Sequence, residues 1–199
     1  MKKTLFIIPC CKRKVEGGAP LAIGGTYFDN PAISAPLIAK RALKGTLIGY
    51  PVGWNLAGEE LKIAWDRYDG LLYRRLKEHQ ILITHLIQMG SLDIIIISAL
   101  YGVINYNTPI VNYDLEMKGN VAFWNAPAGN VISTAVTNYC NANNINIIHT
   151  FLTPTTYLMA ATGGGLFPAH INHWPVRLRG VNNIYNRVAD MAIEILLNL

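Results

Sequence analysis

Asp93-Ile94-Ile95-Ile96-Ile97-Ser98 is the stretch on which the fold turns. Four consecutive isoleucines with no polar alternation describe a strand covered on both faces, which belongs at the centre of a largely parallel sheet. Upstream, Ile81–Met89 reads as a short helix stopped by Gly90, and Leu56–Gln80 as a longer one. In that longer helix Leu61, Ala64, Trp65, Tyr68, Leu71, Leu72 and Leu76 form one apolar stripe, with Tyr73 and the arginines on other faces. Residues 15–55 are punctuated by Gly and Pro and read as an excursion with a helical piece at Leu37–Leu43 and a strand at Leu47–Tyr50. Thr4–Pro9 is a second buried strand. Downstream come a helix at Ala128–Asn141, strands at Asn144–Thr150 and Ile171–Leu178, and a closing amphipathic helix at Val181–Leu197.

No linker, repeat or low-complexity tract divides the 199 residues, so 1–199 is expected to be one three-layer α/β domain. With 51% hydrophobic and 15% charged positions, the composition excludes wholesale disorder. No heptad is sustained, which excludes a coiled coil. The longest uncharged apolar run, Ile94–Ile104, falls far short of the ~20 residues needed to cross a bilayer. Thr4–Ile8 is too short for a signal-peptide core. Three cysteines, two of them adjacent, make neither a disulfide framework nor a CxxC knuckle. The expectation is a cytoplasmic protein with no membrane partner.

Charge is distributed unevenly. Residues 1–80 carry 13 of the 17 Lys/Arg and 7 of the 12 acids, whereas residues 81–199 carry 4 and 5. Two clusters dominate: Lys12-Arg13-Lys14, and Arg74-Arg75 with Lys77. Interleaved with them are Tyr27, Phe28, Tyr50, Trp54, Trp65 and Tyr68. Cations release phosphate counterions and exposed rings stack on bases, so this half suits nucleic acid; a solvated helix face beside core aromatics is the plainer reading.

In open parallel sheets, ligands sit beyond the carboxyl ends of the strands. Four segments fall there: Pro9-Cys10-Cys11-Lys12-Arg13-Lys14; Ser98–Gly102 followed by Tyr113–Met117; Thr153–Tyr157; and Arg177-Leu178-Arg179-Gly180. Ser98 and Tyr101 are suited to hydrogen bonding a base or ribose, and Gly102 to close backbone approach. Asp114 is the candidate general base or ribose ligand, with Glu116 its competitor and helix capping its structural alternative. Lys14, with Lys12 and Arg13, suits phosphate, or serves as an amine nucleophile if desolvated. Arg74, Arg75, Arg177 and Arg179 extend the phosphate-binding set. Cys10 is a candidate redox-sensitive thiol, because neighbouring cations favour thiolate. A strand alternates faces, so Cys10 and Cys11 cannot both enter one site. Thr162-Gly163-Gly164-Gly165 lacks the Lys-Ser/Thr of a P-loop and reads as a turn. His170 and His173 point to opposite faces of a strand, with no acid or thiol pair nearby for a metal. Neither a nucleophile elbow nor a dinucleotide fingerprint is present, so no cofactor is implied.

Ser98-Ala-Leu-Tyr-Gly-Val103, then Tyr113-Asp-Leu-Glu-Met117, then Phe123-Trp124 resembles the pattern of the YaaA-like peroxide-stress proteins. Ala64–Leu71 and Ile147–Tyr157 are similar to further segments of that family. Pro9-Cys-Cys-Lys-Arg-Lys14 looks more like a related group that includes the synthase-like domain of archaeosine-forming tRNA enzymes. The family's basic C-terminal segment is reduced here to Arg177 and Arg179. The resemblance implies a cytoplasmic DNA-binding protein of the oxidative-stress response. The polar rim suggests the alternative, an enzyme on a nucleotide or nucleobase, of glycosidase or base-modifying type, using Asp114, Tyr101, Ser98 and Lys14. Substrate, preferred DNA structure and self-association leave no mark in the sequence.

Overall fold

A computed structural model of the chain describes residues 3–20, 31–48, 59–125, 130–152, 154–165, 172–175 and 184–199. Five strands form its main sheet: β1 (Lys3–Pro9), β3 (Leu92–Ser98), β4 (Gly102–Asn105), β6 (Ile145–Thr150) and β7 (Asn172–Pro175). Their order is β4-β3-β1-β6-β7. All neighbours are parallel except β3 and β4, which form an antiparallel hairpin. β2 (Lys62–Ile63) and β5 (Pro109–Ile110) make a separate two-stranded ribbon.

The isoleucine run is fully interior, as its composition demands, but β1 is the middle strand, pairing with β3 on one side and β6 on the other. Both are short apolar runs, and the order in which such runs pair is not written in either. β1 leads to β3 on one side, while β6 leads to β7 on the other. The chain therefore reverses direction between β1 and β6, which makes their carboxyl ends the switch point of the sheet.

Helices cover the sheet in two groups. α1 (Pro31–Ile48), α5 (Val121–Asn125), α6 (Val131–Ala142) and α7 (Met159–Thr162) pack together, and α3 (Leu71–Lys77) packs on α8 (Ile184–Leu197). α4 (Gln80–Gln88) lies against β3. α6 starts where Asn130 accepts a hydrogen bond from Ser133 N at 2.7 Å. No described helix is long and apolar enough to cross a membrane.

Three local expectations need correction. The single helix over Leu56–Gln80 is instead β2, a one-turn α2 (Ala64–Arg67) and α3. Its break is at Tyr68, whose extended backbone (ψ 130°) brings the chain alongside Lys14, and α3 restarts after Gly70. The apolar stripe stays buried at Leu61, Ala64, Trp65, Tyr68, Leu72 and Leu76, but Tyr73, placed elsewhere by helical periodicity, is buried too. α1 runs well beyond Leu37–Leu43 and absorbs Leu47 and Ile48, where a strand was expected; the rest of that strand, residues 49–50, lies outside the described residues. Tyr27, Phe28, Tyr50 and Trp54 also lie outside them.

The β3–β4 turn depends on Gly102, whose φ is +76°. A Cβ there would stand 2.9 Å from Trp124 Cζ3 and 3.2 Å from Leu37 Cδ2. Trp124 in turn donates through Nε1 to Ala99 O at 3.0 Å, which fixes the indole over the turn. Gly102→Ala is therefore expected to lower unfolding free energy by about 2 kcal/mol. Urea denaturation measures this, and a change under 0.5 kcal/mol would mean that the Trp124 cover yields freely.

Candidate functional site

The chain leaving β1 forms a strap across residues 13–19. Val15 N donates to Arg67 O (2.8 Å), Asp69 N to Arg13 O (3.0 Å), and Ala19 and Leu61 exchange backbone bonds at 3.0 Å. The Arg67 guanidinium, wholly buried behind the strap, donates to Val15 O (2.6 Å), Gly17 O (2.7 Å) and Glu60 O (2.8 Å), and at 3.5 Å to Ile110 O. One side chain thus ties the strap to β5 and to the chain entering β2. Its Nε is buried without a partner, and burial draws its pKa down against the pull of Glu16, the tyrosines Tyr101 and Tyr68, and Glu60.

Between the strap and the segment after β5 opens a cleft of about 380 Å³ lined by Lys12, Lys14, Glu16, Asn112, Tyr113 and Asp114. Across its mouth Asn112 Nδ2 donates to Glu16 Oε2 at 2.7 Å. Lys14 Nζ sits 4.2 Å from the centre of the Tyr113 ring, 5.8 Å from that of Tyr68, and donates to Lys12 O at 3.3 Å. Burial lowers the Lys14 pKa below that of an ordinary lysine, opposed by the charges of Cys10, Cys11 and Asp114. Lys12 reaches Glu116 at 4.0 Å, both well exposed.

Lys12, Lys14 and Asp114 are thus brought to one cleft as the sequence suggested, with Glu116 at its edge. Ser98 and Tyr101 are not at the rim: both are fully buried. Ser98 Oγ accepts from Tyr101 N (3.0 Å) and shares a 2.8 Å hydrogen bond with Tyr113 OH, which shares one of 2.6 Å with Tyr68 OH. Tyr101 OH accepts from Val111 N at 3.1 Å. These hydroxyls hold the cleft wall from behind, since the turn after β3 folds inward under Trp124. Burial pushes the Tyr68 and Tyr113 pKa values well above 10, so the chain of hydroxyls keeps its protons. Asp114 does not cap a helix; the nearby 3₁₀ turn at Met117–Gly119 begins after Glu116.

The second basic cluster is already engaged. Asp69 receives Arg74 through two bonds (3.0 and 2.7 Å) and Arg13 at 2.9 Å, and the hydrogen bonds from Arg74 hold its carboxyl below the usual range. Arg75 pairs with Asp190 of α8 (3.0 Å) and Glu78 (3.5 Å). Lys77 donates to Tyr68 O at 3.1 Å. Arg177 and Arg179 lie outside the described residues, as does His170.

At the switch point itself Cys10 is buried, its Sγ 3.3 Å from the hydroxyl of Tyr157, which comes from the segment after β6. Cys11 is half-buried on the other side, where it accepts from Gly70 N (3.2 Å) and donates to Arg13 O (3.0 Å). Here the nearby cations do not prevail: burial pushes the Cys11 thiol up from 9.0 to about 11. Gly163, at φ +65°, ends α7, so the glycine run begins as a turn. No group of three metal-ligating side chains occurs among the described residues.

Sequence reasoning missed Arg67, Glu16 and Asn112, and also Arg41. Arg41 is buried in α1, where it donates to Tyr101 O and Val103 O and so pins the β3–β4 turn. A signal existed for Arg41: Ile33, Leu37, Arg41 and Lys44 share one helical face, so a cation occupies an apolar-stripe position. Arg67 lies between Trp65 and Tyr68 with no comparable mark. Comparison of the chain with protein-family models and with curated proteins finds no match.

Arg67→Met would leave four backbone carbonyls, three part-buried and that of Ile110 buried, without their donor, and is expected to cost on the order of 3 kcal/mol. Arg67→Lys should restore less than half of that, because one ammonium cannot replace the planar fork. Denaturant titration of both variants checks this; equal stability of wild type and Arg67→Met would refute it. The Cys11 shift carries its own signature. The folded chain keeps a thiol proton that the unfolded chain releases above about pH 9, so this contribution is complete below pH 9 and disappears as pH rises through about 11. Urea midpoints measured from pH 8 to 11 should fall less steeply in Cys11→Ala than in wild type.

Proposed function

We propose that the protein binds a nucleotide or nucleobase in the cleft between the strap and the segment after β5, and acts on it by acid–base chemistry of the glycosidic or base-modifying type. One observation carries this reading. Two ammonium groups (Lys12, Lys14), two carboxylates (Glu16, Asp114) and a carboxamide (Asn112) line a single small cleft, where the chain leaving the carboxyl end of the middle strand meets the segment after β5. Lys14 and Lys12 hold the phosphate. Asp114, on the same lining, is the proton-transfer group. Ser98, Tyr101 and Tyr68 act as positioning residues, through Tyr113 and Val111.

A second reading takes DNA as the partner, in the oxidative-stress role that the resemblance over Ser98–Trp124 implies. Exposed Lys12 and Arg13 on the lip of the same cleft favour it, and the two readings coincide where DNA presents the base. The smaller ligand comes first because Arg13, Arg74 and Arg75 already have carboxylate partners that a phosphate backbone would have to displace.

Calorimetry with nucleoside monophosphates, beside anisotropy with linear, bulged and single-stranded DNA over a salt series, tests both. Nucleotides are expected to bind, and Lys14→Ala to weaken them about tenfold while the fold persists. Asp114→Asn should keep that affinity but release no base by chromatography. DNA binding with a steep salt slope, abolished in a Lys12/Arg13/Lys14 triple-alanine variant and unaccompanied by nucleotide binding, would put the second reading in place of the first. Binding of neither refutes both.

A further inference from the structure

The cleft is electrically mixed, with two ammonium groups, two carboxylates and a carboxamide on its lining. Glu16 and Asn112 come from segments 96 residues apart, yet their side chains meet at 2.7 Å. Arg67 makes that meeting reproducible: it grips Val15 O and Gly17 O on either side of Glu16, and reaches Ile110 O two residues before Asn112. With Asn112 Nδ2 turned toward Glu16 Oε2, the carboxamide Oδ1 and the carboxylate Oε1 are the atoms left to receive a ligand. Both are acceptors. Asp114, on the same lining, adds a second carboxylate. Lys12 and Lys14, which precede Glu16 in the chain, supply the ammonium groups of the described lining.

From this juxtaposition we infer that Glu16 and Asn112 form a specificity-determining acceptor pair that selects nucleotides whose base carries an exocyclic amino group. The inference rests on the reading of the cleft as a nucleotide site and names its substrate class. An anionic phosphate meets Lys12 and Lys14, and an amino-bearing base edge meets the two oxygens. Cytosine offers its N4 amine, and guanine offers N1–H beside its N2 amine, to such a pair. A base with a carbonyl oxygen at the same position sets lone pair against lone pair. A site built to accept from a substrate N–H discriminates strongly against the analogue that lacks it, because its own polar atoms are then left unpaired.

GMP against IMP isolates the amino group, and CMP against UMP exchanges it for a carbonyl together with the change at N3; both pairs are titrated calorimetrically into the protein and into Glu16→Gln. Glu16 is exposed, and the glutamine keeps the side-chain length and an acceptor for Asn112, while circular dichroism reports whether the fold is retained. The amino-bearing member of each pair is expected to bind about tenfold more tightly to the wild type. In Glu16→Gln that ratio is expected to fall to within about twofold, since a glutamine whose oxygen stays on Asn112 turns its NH2 to the ligand, which suits the uracil carbonyl and opposes the amine of cytosine or guanine. Equal affinities within each pair, or a preference unchanged in Glu16→Gln, overturn the acceptor pair while leaving the nucleotide site standing. Failure of all four nucleotides to bind the wild type overturns the reading of the cleft, and the inference with it.

Discussion

A buried guanidinium surrounded by carbonyl oxygens holds the cleft wall of this protein together. Arg67 has no carboxylate within salt-bridge distance among the described residues; its charge is met by the backbone of residues 15, 17, 60 and 110. Taking a charged group out of water is costly unless its donors are satisfied, so the geometry around Arg67 has little freedom. The carbonyls need the guanidinium as much as it needs them, because none of them belongs to a helix or to the main sheet. One side chain thus adds to the backbone bonds that already join the strap to the chain at β2 and β2 to β5, and reaches all three at once.

Behind that rim a second layer of polar bonds locks the cleft floor. The hydroxyls of Tyr68, Tyr113 and Ser98 form a continuous buried chain, and Tyr101 holds Val111 from the same side. Lys14 lies on the Tyr113 ring above this chain. Tyr113 therefore meets the hydroxyl chain with its phenol and Lys14 with its face. Arg41 supports the same region from α1 by pinning the turn that carries Ser98 and Tyr101. The two buried arginines act on the two sides of the site, one on the strap and one on the turn.

The basic character of the first eighty residues turns out to be mostly internal bookkeeping. Arg13 and Arg74 converge on Asp69, Arg75 bridges to α8, Lys77 caps Tyr68, and Arg67 and Arg41 are buried. Charge counted along a sequence treats every cation as solvent-facing. In the folded chain most of the described cations have backbone or carboxylate partners, while Lys12 and Lys14 line the cleft. Charge summed along the chain therefore overstates the charge that the described surface leaves unpaired.

The sequence by itself determined the α/β class and the covered isoleucine strand, and it located the helix that ends at Gly90 and, begun at Ala128 rather than Val131, the one before β6. These follow from hydrophobic run length and local capping, which act over a few residues. It also named Lys12 and Lys14, since polar residues just past a buried strand lie at a sheet end by construction, and Asp114, a carboxylate in the polar segment downstream of the isoleucine strand. Only the tertiary structure decided that β1 is the middle strand, that Tyr68 leaves the helix to run beside Lys14, and that Ser98 and Tyr101 turn inward. It alone brought Glu16 to Asn112 and set Arg67 between them. Those outcomes depend on which apolar faces meet and on which distant carbonyls a buried cation finds, and no local pattern in the chain encodes that choice.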